Sequence, residues 1–265
     1  MRICTSIFVA VLLAVGTLSA QPKQRGSLIG APTRIELSCR ELLKSMAWWA
    51  RFGFLPMSRP GDKADSAITL TDGQLVLTLV KISQPSPVLV YRCGSTKRLK
   101  EQLDSLTILS NFEVEGPTYR ELRFRSPNGV YISARVGTIE TAIKITGNLN
   151  QICGKLTELS TGAEKLKNEQ QWWSDLGFVA SRGDSVPYRF VNMSDGHIEI
   201  GIHEGRDITG LAFTYFMPDM EQRIDRLKKS GLVPVDEIPT NDGRIGNAIF
   251  SSPDGQQVYL FEGTK

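Results

Sequence analysis

Beyond residue 30 the polar and apolar positions alternate between two periods, two residues for strand and about 3.6 for amphipathic helix, in a fixed order. From Arg34 to Cys39, Arg34, Glu36 and Ser38 face one way and Ile35 and Leu37 the other, which predicts a strand. A helix is expected from about Glu41 to Phe52, stopped at Gly53. Strands then follow over Ala67–Thr71 and Gln74–Ile82, joined through Asp72 and Gly73. A strand at Val88–Cys93 leads to a helix capped near Ser95 or Thr96, with Leu99, Leu103 and Leu106 on one face. Strands at Tyr119–Arg125 and Val130–Val136, joined by Ser-Pro-Asn-Gly, close the series.

The series then starts again. WWARFGF at Trp48–Phe54 reappears as WWSDLGF at Trp172–Phe178, about 124 residues later. TLTDG ending at Gly73 returns as NMSDG ending at Gly196, and RSPNG ending at Gly129 as SSPDG ending at Gly255. The opening strands share Glu36-Leu37-Ser38 and Glu158-Leu159-Ser160, and a helix from Asp219 carries Met220, Ile224 and Leu227 at the spacing of its counterpart. The chain reads as a tandem duplication of a unit of about 105 residues, a usual domain size. The units are expected at 33–137 and 154–263, with 138–153 as connection and 21–32 as a flexible lead-in. Each holds the strand, helix, strands pattern twice, and a sheet with helices on one face only can curl into a cup.

The first twenty residues stand apart from this scheme. One early charge at Arg2, an apolar run from Ile7 to Leu18 and small residues after it read as a secretory signal peptide, with cleavage expected after Ala20. The run is shorter than the roughly 20 residues that span a bilayer. A secreted or periplasmic protein is expected. Loss of this segment removes Cys4 and leaves Cys39, Cys93 and Cys153, an odd number without metal or redox spacing, read as buried small hydrophobes with one disulfide left open. Composition changes the picture little: 41% hydrophobic and 22% charged residues describe a globular chain, and 31 basic against 28 acidic side chains give no reason to expect nucleic acid.

Candidate chemistry follows from strand direction. His197, Glu199 and His203 share one face of a strand whose Ile198, Ile200 and Ile202 face the helices, so all three should line the second cup. The two histidines are about 20 Å apart along the strand, too far to share one ion. Glu36 and Glu158 should face their cups, as a general base or as hydrogen-bonding wall, with Glu36 paired to Arg34 or Arg92. Arg92, Arg123, Arg125 and Tyr131 would suit the first cup to an anionic or aromatic ligand. One tryptophan of each pair belongs to the core and the other covers it. Asn192-Met193-Ser194 fits a glycosylation sequon, and no phosphate-binding loop or nucleophile elbow occurs.

An aromatic pair, GF, DG opening a strand, and SPDG before a final strand, twice over, resemble the vicinal oxygen chelate superfamily of glyoxalase I, bleomycin-resistance and extradiol dioxygenase proteins. The resemblance implies an α+β fold of tandem glyoxalase-like domains, each of paired βαβββ modules forming an open, cup-shaped sheet. It places the metal-ligand positions of the superfamily near Arg34 and Leu156 or Thr157, near Val88 and Gly210 or Leu211, and at Ser133 and Tyr259. None of these carries a competent His or Glu; only Glu199, in the strand after the second Asp-Gly turn, matches a ligand position of the superfamily, with His197 as a second candidate donor, so no cofactor is expected beyond the alternative of a zinc, manganese or iron ion. Three functions stay open. The first is metal-free binding of a small molecule by cup-lining Arg34, Glu36, Arg92, Tyr131, Ser133, Glu158, His197, Glu199, His203 and Tyr259. The second is a metal-dependent lyase or dioxygenase with its site in the second domain, and the third an interaction module. Homodimerisation is left open, as is catalysis.

Overall fold

The computed structural model describes residues 27–58, 66–115, 120–137, 144–145, 151–185, 188–206, 208 and 210–264. The expected signal segment, residues 21–26 of the lead-in and most of the expected connection lie outside the described residues.

Four βαβββ modules follow one another. The first is β1 (Ala31–Ser38), α1 (Leu42–Ala50), β2 (Leu55–Ser58), β3 (Ala67–Thr71) and β4 (Val76–Val80). The second is β5 (Val88–Arg92), α2 (Thr96–Ser105), β6 (Ser110–Glu115), β7 (Arg120–Arg125) and β8 (Tyr131–Val136). A short β9 (Lys144–Ile145) in the connection pairs with β2. The third is β10 (Glu158–Ala163), α3 (Leu166–Asp175), β11 (Val179–Asp184), β12 (Phe190–Ser194) and β13 (Glu199–Glu204). The fourth is β14 (Ala212–Met217), α4 (Met220–Lys229), β15 (Asp236–Ile238), β16 (Asn247–Ser251) and β17 (Gln257–Glu262). Sequence periodicity misses β2, β6, β11 and β15, the strands that follow helices, and starts β1 three residues late.

Modules pair through their first strands. Among the described residues one open sheet runs β6-β7-β8-β5-β1-β4-β3-β2-β9 and the other β11-β12-β13-β10-β14-β17-β16-β15. In each, the two opening strands are antiparallel neighbours, and each is parallel to the last strand of a module.

The duplicated markers are turns with one physical requirement. Asp72 Oδ1 accepts from the N–H groups of Gln74 and Leu75 at 2.9 and 2.8 Å, and Asp195 Oδ1 does the same for His197 and Ile198 at 2.8 and 2.9 Å. The glycine after each aspartate has φ near +90°, a conformation only glycine adopts at little cost. Each loop also ties the two units together, for Tyr91 donates its hydroxyl to Asp195 Oδ2 at 3.0 Å.

The core is continuous between the sheet backs. Trp49 of α1 packs edge-on against Phe213 of β14 at 5.4 Å, Phe52 against Phe250 of β16 at 5.7 Å, and Trp172 of α3 lies 6.2 Å from Phe124 of β7. α1 with its following turn, and α3, thus reach the other unit's strands. Trp49 and Trp173 are fully buried and their neighbours cover them, as the helical spacing predicts. Cys39, Cys93 and Cys153 are buried and unpaired, so the open disulfide does not form. Two loop clasps reinforce the junction. Asp254 accepts from Arg40 N–H at 3.0 Å and from Ser45, while buried Glu169 accepts from Asn128 N–H and Trp173 Nε1, both at 3.0 Å. Burial pushes the Glu169 carboxyl above its ordinary value, so its contribution to stability lies on the acid side and is lost as pH rises through the folded value.

Candidate functional site

The inner face of the first sheet is filled by its own charges. Arg135 of β8 forks onto Glu36 of β1 at 2.7 and 2.9 Å and reaches Glu121 of β7 at 3.2 Å. Arg34 bonds Glu36 at 3.0 Å, Arg123 bonds Glu121, and Ser133 donates to Glu121 at 2.9 Å. Burial alone would raise both carboxyls, but the hydrogen bonds and charges of Arg135, with Arg34 at Glu36 and Arg123 at Glu121, hold them below the ordinary 4.5. Arg34, Glu36 and Ser133 therefore share one network on this face, with Arg34 as one of the two partners expected for Glu36. The expected Glu36–Arg92 pairing does not form: Arg92 ends β5 exposed, and its place is taken by Arg135. Tyr131 is half-buried on the same face, level with Val88.

These depressed carboxyls set a pH dependence. Their stabilisation is present above pH 4.5, the unfolded value, and is lost as pH falls through the folded values. Urea midpoints followed from neutral pH downward should drop below pH 4.5. The drop should be flatter in a Glu36→Gln, Glu121→Gln double variant.

The second cup is organised around Glu158. Its side chain is 3% exposed, and its carboxylate accepts from Ser160 Oγ at 2.7 Å, Asn192 Nδ2 at 2.6 Å and His203 Nε2 at 2.8 Å. Gly201 clears the space, since a Cβ there would lie 2.3 Å from Glu158 Oε1. Asn192 Nδ2 also donates to Glu199 Oε1 at 2.7 Å, which fixes the orientation of its amide and turns Oδ1 the other way. Asn192 Oδ1 and His203 Nδ1 are buried and have no hydrogen-bond partner among the described residues. Phe190 stacks on His203 at 6.0 Å and Tyr188 lies 5.7 Å from it. Arg206 sits 4.1 Å over the Tyr188 ring, whose hydroxyl burial pushes up.

Glu158, Glu199 and His203 thus converge, but His197 does not join them. The Asp195 turn captures its N–H, β13 begins two residues later, and His197 is exposed at the mouth of a pocket between the units. That pocket, about 660 Å³, is lined by Arg34 and Gln74 of the first unit and by Lys155, Glu158, His197 and Glu199 of the second, among others. Tyr259 faces the cup and donates to Gln257 Oε1 at 2.6 Å. Sequence reasoning did not find Arg135, Glu121, Asn192 or Gly201 as site residues. Arg135 and Glu121 each lie two residues from an expected one on the same strand face, a signal periodicity carries. Asn192 is fully buried, which leaves the sequon without an accessible acceptor.

The donor set bears on a metal. The three central strands of the second sheet bring Glu158, Thr214 and Tyr259 into one inward-facing row, in register. The expected ligand positions at Leu156, Gly210 and Leu211 fall before their strands begin. In this row one carboxylate stands beside a hydroxyl and a phenol, a poor set for a divalent ion, while Glu199 and His203 meet Glu158 only through hydrogen bonds, by way of Asn192 and directly to the Glu158 carboxylate. Among the described residues no group of three His, Cys, Asp or Glu side chains is placed to hold one.

No family model matches the sequence, and no curated protein does. Solved structures do match in fold. The Mn(II)-bound glyoxalase from Novosphingobium aromaticivorans has a TM-score of 0.59 at 17% identity, covering 89% of this chain and 83% of its own. The 2,3-dioxygenase LapB from Pseudomonas sp. KL28 scores 0.60 at 14% identity, with 91% and 94% covered. A catechol 2,3-dioxygenase scores 0.59 at 13%, with 89% and 88% covered. At these identities the likeness is one of fold, and the fold of this chain is the two-domain, open-sheet fold of the vicinal oxygen chelate superfamily.

Proposed function

We propose that this chain is an exported protein that binds a small organic molecule at the second cup, entered through the pocket between the units, without a resident metal. The observation that carries the reading is the contrast between two equivalent carboxylates. Glu36 is neutralised by arginines that fill its cup. Glu158 accepts from amide and hydroxyl donors and an imidazole, borders a pocket of ligand size, and lies beside two buried polar atoms that have no hydrogen-bond partner among the described residues. Unpaired buried polar atoms are costly, and a ligand or water that satisfies them recovers that cost. Export rests on the leader-like first twenty residues, and is read by sequencing the amino terminus of secreted material.

The metal-dependent alternative is tested by metal content. After dialysis the protein is expected to hold far less than one equivalent of zinc, manganese or iron by mass spectrometry, with no difference in a Glu199→Ala variant. Stoichiometric metal that the variant loses would replace binding by a lyase or dioxygenase reading centred on the second unit.

A further inference from the structure

The duplication makes the pocket asymmetric, and the asymmetry says what enters it. Gln74 follows the Asp-Gly turn of the first unit and clasps the second: its Oε1 accepts from Leu156 N–H at 2.8 Å and its Nε2 donates to Leu156 C=O at 3.2 Å. His197 is the same position in the second unit, and Arg34 stands where Leu156 does, two residues before the paired glutamates. The reciprocal clasp is absent among the described residues, where the hydrogen bond given by His197 is that of its backbone to Asp195.

Charges of both signs line this pocket. Arg34, Lys155 and His197 supply donors. Lys155 is exposed and has no ion pair among the described residues, and Arg34 shares the Glu36 carboxylate with Arg135. Glu158 and Glu199 supply acceptors, and both converge on one amide nitrogen of Asn192, whose own oxygen has no donor among the described residues. Leu156, Phe216 and Met217 give the lining its apolar part.

Resting on the binding function proposed above, we infer that the ligand is amphoteric: an anionic group held by Lys155, Arg34 and His197, a protonated amine directed to Glu158 and Glu199, and a hydrocarbon body between them. An anion alone would meet two carboxylates, and a cation alone would leave Lys155 unmatched.

Calorimetric titration of the whole protein with three matched probes tests this: phenylalanine, which carries both charges, N-acetylphenylalanine, which keeps the carboxylate, and phenylalanine amide, which keeps the amine. Phenylalanine is expected to bind about tenfold more tightly than either blocked form. Lys155→Gln should weaken phenylalanine and N-acetylphenylalanine but not the amide, and Glu199→Gln should weaken phenylalanine and the amide but not N-acetylphenylalanine. Equal binding of all three, loss of all three in either variant, or no binding of any at millimolar concentration overturns the inference. A neutral compound that stabilises the protein, with the stabilisation lost in Glu158→Gln, would leave the binding function standing while this inference fell. Absence of any stabilising compound would remove both.

Discussion

Arg135→Ala is expected to destabilise the protein by about 3 kcal/mol, the low end of the cost of breaking a buried ion pair, because each carboxylate keeps one other arginine. Arg135 serves two carboxylates, Glu36 at 5% and Glu121 at 3% exposure, and its removal leaves each with one arginine. Both carboxyls should titrate higher in the variant, because the part of the lowering that Arg135 supplies is lost while Arg34 at Glu36 and Arg123 at Glu121 remain. Urea unfolding gives the stability change. Replacing Glu36 and Glu121 by Gln in the Arg135→Ala background should recover part of the loss, since it is the uncompensated charge that costs. No recovery would mean that the side chain of Arg135 acts by packing alone.

Gly201→Ala should cost about 2–4 kcal/mol and remove binding at the second cup, through displaced packing and broken hydrogen bonds together. The added methyl would lie 2.3–2.8 Å from the Glu158 carboxylate. The carboxylate must swing away, and Ser160, Asn192 and His203 then lose their common acceptor. Thermal unfolding reports the first effect and ligand titration the second. Unchanged binding in a folded Gly201→Ala protein would place the ligand elsewhere.

What the sequence revealed depended on how local the cause was. Turns are local: Asp72-Gly73 and Asp195-Gly196 each bind the next two N–H groups through one carboxylate, so the markers recur and expose the duplication. Helix faces were legible for the same reason, as buried Leu99, Leu103, Met220, Ile224 and Leu227 show. The strands after the helices were not. β2 has four residues including Pro56, β15 has three, and β6 is polar, so none carries a full period of alternation. Site membership lay between these cases. Strand alternation pointed Glu36, Glu158, Glu199 and His203 inward, but their partners depend on register between distant strands. Arg135 meets Glu36 across 99 residues and Asn192 meets Glu158 across 34. Alternation carried too far misled at His197, where the turn had not yet released the chain into β13.

The most direct measurement of the central claim is the thermal midpoint of the chelator-treated protein across a small-molecule panel, wild type beside Glu158→Gln. Binding to the folded state alone raises the midpoint by an amount that grows with the logarithm of ligand concentration over Kd. The account predicts compounds that raise the wild-type midpoint without added metal and do nothing to Glu158→Gln. Shifts that appear only with a divalent ion, or that persist unchanged in Glu158→Gln, would contradict it.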